Sequence, residues 1–210
     1  MFRQSLFTYV VRAMVLLTAI PIHECAHAWA SWKQGDPTAK NMGRLTLNPL
    51  PHLDLIGSVL MLFTGFGWAK PVPVSTRYYK NVKKGMILTA LAGPAANILL
   101  ALLSMILYKL WCYIIYPAIT ISFTTASAIA QIFYIMCLLN INLAVFNLIP
   151  IPPLDGSRVL TAVLPARHLQ KFAGNLHLVL LQGADIHHVL LQQAADVDIV
   201  NVDLMLGEQR

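Results

Sequence analysis

The chain has 210 residues, of which 57% are hydrophobic and only 11% charged, where soluble domains carry about 25% charged residues. With a mean hydropathy of +0.63, this excludes an ordinary soluble enzyme and points to a polytopic membrane protein. The formal net charge of +6 is no sign of nucleic-acid binding, because no basic run is interleaved with aromatics.

In chain order, the first apolar segment covers about residues 6–32. Arg3 and the run that follows loosely resemble a secretory leader. Arg12 interrupts that run, and cleavage at Ala26-His27-Ala28 would discard the motif next described, so a mature span is expected. Near the end of this span lies His23-Glu24-Cys25-Ala26-His27. On a helix, residues four apart share a face, so both imidazoles can face one metal ion. Glu24 can then reach water activated by that ion. Cys25, Cys112 and Cys137 have neither disulfide nor metal spacing and read as small fillers between packed helices.

The second apolar segment, residues 53–69, is shorter than the ~20 residues of a spanning helix and contains Gly57, Gly65 and Gly67. A re-entrant element is expected there. Residues 86–108 carry no charge and read as a spanning helix. Within it, Gly93, Ala95 and Ala96 permit close helix approach, while Asn97 would need a buried partner. Residues 110–154 contain no Asp, Glu, Lys, Arg or His, and a further span is expected within 129–149. Asn140 and Asn142 are suited to interhelical hydrogen bonds.

Eight of the fifteen Lys and Arg residues fall in 33–84 and three more in 158–171. Basic loops mark the cytoplasmic side. Residues 109–128 would then form an outward loop, and the chain near residues 27 and 155 would lie toward the cytoplasm. From about Ala166 the composition changes. That tail holds five of the nine acidic residues, and its apolar stretches are too interrupted to read as another span. The expected organisation is a membrane-embedded core, 1–165, and a C-terminal tail, 166–210, to which no fold is assigned.

Catalytic zinc takes three protein ligands and leaves a position for water. The only other Glu is Glu208, and Ala30 and Lys33 stand where the extended motif has Gly and His. The third ligand is therefore sought among Asp and His. Asp155 leads, because Pro150, Pro152 and Pro153 force extended backbone ahead of it. Asp155-Gly156 is expected to form a tight turn that orients the carboxylate. His52 and Asp54 compete as ligand or as partner to a ligand ring, and Asp54 is equally well placed to cap a helix. Asp36 reads as a turn residue, and His168, His177, His187 and His188 as surface or interfacial. Asn147 is suited either to donate to a developing oxyanion or to bond another helix.

Five motifs follow one another over about residues 13–165. They are His23-Glu24-x-x-His27, Gly43-Arg44-Leu45-Thr46-Leu47-Asn48-Pro49 and Gly67-Trp68-Ala69-Lys70-Pro71-Val72-Pro73-Val74. Then come Ala92-Gly93-Pro94-x-x-Asn97 and Asn147-Leu148-x-Pro150-x-Pro152-Pro153-Leu154-Asp155-Gly156. Together they resemble the site-2 protease family of intramembrane zinc metalloproteases, in its compact prokaryotic branch. The resemblance implies that His23, His27 and Asp155 bind one zinc ion. It implies that Glu24 is the catalytic acid and base, and that Asn147 assists at the scissile carbonyl. The substrates implied are segments of other membrane proteins, cut within or beside the bilayer.

The expected fold is mainly α: a polytopic transmembrane helical bundle with a re-entrant segment and a small β element near the active site. Residues 44–49 and 70–74 are the expected strands. The expected setting is the cell membrane, with the site toward the cytoplasm, the bilayer and membrane-protein substrates as partners, and no nucleic acid. The tail after about Leu164 does not resemble the apolar final helix of that family. The alternative reading is a membrane metal-binding or transport protein, or an inactive protease-like scaffold. Glu24 discriminates, since hydrolysis requires a carboxylate beside the first His and ion transport does not.

Overall fold

The computed structural model describes residues 6–65 and 67–164. Among them the protein is mainly helical. Three helices are long and apolar enough to cross a membrane: Thr8–Lys33, Val82–Ala118 and Phe123–Leu148.

The first is built from α1 (Leu6–Met14) and α2 (Ile20–Lys33), joined by a π-helical turn, Val15–Ala19. The wide turn lies just before Pro21. A proline ring has no N–H for the carbonyl four residues back and would clash with it in a regular α-turn. A short α3 (Thr38–Asn41) follows, then α4 (Leu55–Thr64). Asp54 caps α4, its carboxylate accepting the Gly57 N–H at 2.9 Å. The helix stops at Gly65, whose φ of 82° is left-handed, a conformation glycine adopts without steric cost. There the Arg12 guanidinium donates to the Leu62 carbonyl at 2.8 Å, placing a cation at the negative end of α4. Past Gly65 the chain turns back along α4. A Cβ on Gly57 would sit 2.2 Å from the Trp68 carbonyl oxygen, and Leu53 forms an antiparallel bridge with Ala69.

Helix α5 (Val82–Leu110) is capped by Asn81 and runs through a π-helical turn, Trp111–Ile115, into α6 (Tyr116–Ala118). Helix α7 (Phe123–Leu148) is capped by Ser122, and α8 (Asp155–Val163) closes the described chain. Helix α5 is the hub. It packs most extensively on α7, then on α2 and α8. One apolar cluster, with Leu16, Ala19, Met61 and Leu139, ties the first span to α4 and α7. Another, with Tyr108, Cys112 and Ala130, ties α5 to α7 at the far end. Leu17, Leu99, Ile106 and Val145 instead lie more than half exposed, as lipid-facing residues do. The three cysteines are free, Cys112 and Cys137 buried and Cys25 half-buried.

Three expectations require correction. The outward loop at 109–128 is nearly absent. The helix continues through Lys109 to Ala118, and only residues 119–122 link it to α7. At 1.5 Å per residue its 37 residues run about 55 Å, well beyond a ~30 Å hydrocarbon layer. A single lysine on a long stem does not break such a helix. Second, no strand forms among the described residues. Residues 44–49 are irregular with bends, and 70–75 have no regular structure. The Lys70 N–H donates to the His52 carbonyl at 2.9 Å, the Lys70 carbonyl accepts from Arg44 and the Ser75 N–H donates to Asp36, none of them part of a strand ladder. Pro49, Pro71 and Pro73 remove donors that a ladder would need. Third, Asp155-Gly156 is the first turn of α8, not a separate tight turn. The tail beyond Leu164 lies outside the described residues.

Candidate metal centre

His23 and His27 stand one turn apart on α2, and Asp155 opens α8. The prolines end α7, and Gly156 lets α8 start directly against it. A Cβ there would lie 2.2 Å from the Leu148 carbonyl oxygen. The Asp155 carboxylate thereby meets both imidazoles across 132 and 128 residues of sequence. Its Oδ2 is 3.1 Å from His23 Nε2 and 3.0 Å from His27 Nε2, and the two Nε2 atoms are 3.0 Å apart. The rings meet edge to face at 85°. All three residues are at most 9% exposed. Among the described residues they form the cluster of His, Cys, Asp and Glu able to hold a metal ion.

The hydrogen-bond pattern tests whether a cation fits. His27 Nδ1 lies 2.7 Å from the Thr89 carbonyl. A carbonyl only accepts, so Nδ1 carries the hydrogen and neutral His27 presents a lone pair at Nε2. That lone pair faces a second imidazole nitrogen and a carboxylate oxygen. Burial by itself raises the Asp155 carboxyl. Protonated imidazoles would donate to it and lower it, but a neutral His27 with a bare Nε2 gives it no hydrogen. His23 Nδ1 is buried without a partner; with its hydrogen there, His23 also turns a lone pair inward, and three such atoms are stabilised by a cation among them. Two imidazoles and one carboxylate suit zinc. Ligands of a tetrahedral zinc at ~2.0–2.1 Å lie about 3.3 Å apart, close to the observed spacing.

A directed chain of hydrogen bonds stands behind His27. Ser31 Oγ donates to Asp36 Oδ2 at 2.8 Å. Its one hydrogen spent, it accepts from Tyr79 Oη at 2.8 Å. Tyr79 in turn accepts from Thr89 Oγ1 at 2.9 Å, and Thr89 accepts from Gln34 Nε2 at 3.0 Å. Thr89, whose carbonyl orients His27, is thus fixed from both sides. Asp36 also accepts from the Thr38 hydroxyl, the Thr38 N–H and the Ser75 N–H. Burial alone raises its carboxyl, and these bonds outweigh burial and lower it. Asp36 is therefore the anchor of a buried network, not a simple turn residue.

Gly93 of α5 touches the imidazoles. A Cβ there would be 2.3 Å from His27 Nε2 and 2.6 Å from His23 Cε1. Beyond it opens a cleft of about 640 Å³ lined by His23, Glu24, His27, Asn97, Asn147, Asp155 and Arg158 among apolar walls. Glu24 thus shares the cleft with the metal cluster. Asn147 lines it too, with one amide hydrogen donated to the Leu143 carbonyl of its own helix at 2.9 Å. Asn140 likewise bonds its own helix, at the Met136 carbonyl.

The competing candidates do not join the cluster. Asp54 caps α4. His52, fully buried, donates from Nε2 to the Thr46 carbonyl at 2.8 Å. His168, His177, His187 and His188 lie outside the described residues. Sequence reasoning assigned no role to Thr89, Tyr79 or Arg44. Arg44 is 5% exposed and donates to the Lys70 carbonyl. Burial lowers its pKa, and the charge of Glu24 partly offsets this. A lone Arg in a polar loop gives no periodic signal, and Thr89 acts through its backbone.

A family model described as peptidase family M50 matches residues 11–182. "Putative zinc metalloprotease YwhC" of Bacillus subtilis (strain 168) is 42% identical over 161 residues, covering 77% of this chain and 71% of that protein. "Putative zinc metalloprotease Rip2" of Mycolicibacterium smegmatis (strain ATCC 700084 / mc(2)155) is 35% identical over 147 residues, 67% of this chain and 52% of that protein. The protein of the same printed name from Mycobacterium tuberculosis (strain ATCC 25618 / H37Rv) is 30% identical over 146 residues. The chain spans about half the length of these mycobacterial relatives, 52% in each case. No solved structure matches the chain at a significant level.

Proposed function

The chain belongs to peptidase family M50, and from that premise we propose that it is an intramembrane endopeptidase cutting peptide bonds in or near transmembrane segments of other membrane proteins. Family membership makes it a zinc metalloprotease with membrane-spanning helices. The observation that carries the proposal is Glu24 in one cleft with His23, His27 and Asp155, on a helix long enough to cross the bilayer.

In this reading His23, His27 and Asp155 would hold one zinc ion. Zinc bound there supplies Lewis acidity that activates water near neutral pH. Glu24 takes a proton from the attacking water and returns it to the leaving amine. The second amide hydrogen of Asn147 is available to the scissile carbonyl oxygen as charge develops on it. The apolar cleft walls limit bulk water and strengthen these contacts.

A helical substrate must unwind before its bonds can be reached. Residues 71–74 at the cleft edge, where Val72 and Val74 alternate with prolines, would offer such a segment a short edge to pair with. The expected β element would then form with the substrate. The hairpin of α4 and residues 67–69 reads as the re-entrant segment. Ten residues of helix give only about 15 Å, and Arg12 satisfies its buried end. The basic residues between 33 and 84 support a site toward the cytoplasm of a cell membrane.

The test is cleavage of a panel of single-span proteins by the zinc-loaded protein in vesicles. Glu24→Gln is expected to keep zinc and lose about 10²–10⁴-fold in rate. Asp155→Ala is expected to lower zinc stoichiometry by metal analysis. Equal cleavage by wild type and Glu24→Gln would sink the mechanism. Zinc bound without cleavage by wild type would favour a metal-binding or scaffold role.

A further inference from the structure

Asn97 lies one turn beyond Gly93 on α5, on the face that meets the two imidazoles. It is 1% exposed, yet neither Nδ2 nor Oδ1 has a hydrogen-bond partner. It nevertheless lines the cleft. A buried carboxamide left without partners is costly and needs a reason. Gly93 and Asn97 together suggest one: the glycine admits the imidazoles, and Asn97, one turn on, lines the cleft they share.

What would occupy that space must offer both an acceptor and a donor. The other cleft amide, Asn147, already gives one hydrogen to Leu143. The apolar members of the cleft lining, Ile20, Met61, Leu143 and Phe146 among them, offer it no partner. Side chains of a membrane-spanning segment are mostly apolar and supply no match. Its backbone does. Unwinding leaves peptide N–H and C=O groups unpaired in an apolar cleft, where each is strongly unfavourable. A primary amide presents the complementary pair, Nδ2–H for a carbonyl and Oδ1 for an N–H. Two deficits cancel in one contact.

We propose that Asn97 binds one peptide unit of the unwound substrate beside the scissile bond, holding the chain in register with Glu24 and the metal ligands. The inference rests on the protease reading and adds a substrate-binding residue to it. Asn97 selects for extended backbone rather than for any side chain.

The test uses a single-span peptide that the zinc-loaded wild type cleaves, together with versions in which one amide near the cut is replaced by an ester. An ester lacks the N–H that Oδ1 would accept. Asn97→Ala and the nearly isosteric Asn97→Leu are expected to keep zinc content and folding and to lose about tenfold or more in kcat/KM. One ester position should weaken cleavage by wild type and have little further effect on either variant. A structural role would not produce that coupling. Ester penalties identical in wild type and both variants would overturn the inference while leaving the protease reading intact. So would loss of zinc by both variants, which would make Asn97 a support for the imidazoles. Cleavage of no panel member by wild type would overturn the protease reading first, and this inference with it.

Discussion

At the residue scale, the centre depends on what is missing at Gly93. The imidazoles occupy the volume its side chain would need, with 2.3 Å between a virtual Cβ and His27 Nε2. Alanine is the better helix former by about 1 kcal/mol, so Gly93→Ala should not destabilise α5 itself. It is expected to displace the rings and weaken zinc binding by about tenfold or more, the scale of losing a ligand-orienting contact. Metal titration alongside thermal melting checks this. Unchanged zinc affinity would mean that α5 shifts away without disturbing the rings. His23, Glu24 and His27 were legible from spacing alone, because a helix converts i,i+4 into a shared face. Asp155 was reached by eliminating other candidates. Thr89 was not legible, since its contribution is a backbone carbonyl that any residue possesses. Asn97 was noticed as an amide needing a partner. That the partner is absent only the packing reveals.

At the element scale, Asp36 joins the start of α3, the segment around Ser75 and the end of α2. Its carboxyl is lowered on folding from an unfolded value near ~3.9. A lowered folded pKa stabilises fully above the unfolded value and loses that contribution as pH falls toward the folded one. Asp36→Asn should therefore melt below wild type at neutral pH. The gap should narrow below about pH 4. A gap constant from pH 6 to pH 3 would show that the charge is not what matters. The elements themselves were read unevenly. Charge-free runs located the spans, but the third helix passes Lys109 and reaches Ala118, because one charge with an apolar stem is too small a signal to end a helix. The expected strands do not form for the opposite reason: β-branched residues and prolines favour extended backbone, but Pro49, Pro71 and Pro73 lack the N–H groups that a ladder needs.

At the scale of the whole molecule, the site is assembled by α5. It packs on α2, α7 and α8 together and so brings the two ends of the sequence motif pair into one cleft. In the proposed orientation, with basic loops toward the cytoplasm, the 119–122 link would face outward. In a variant with Cys25, Cys112 and Cys137 replaced, Thr120→Cys is expected to react with a membrane-impermeant maleimide on intact cells. Lys83→Cys should react only after permeabilisation. The reverse pattern would invert the orientation and place the cleft outside.

The sequence by itself determined the membrane setting, the pairing of His23 and His27 on one helix face and the family. These are local properties: hydropathy along a run, spacing on a helix, residue types in a motif. The tertiary structure alone decided that Asp155 meets His23 and His27, that Thr89 orients the ring and that Asn97 is left unpaired. It also decided that Gly93 admits the imidazoles. Each of these depends on which surfaces of distant segments come within hydrogen-bonding distance, and that follows from packing around α5 rather than from any single stretch of chain.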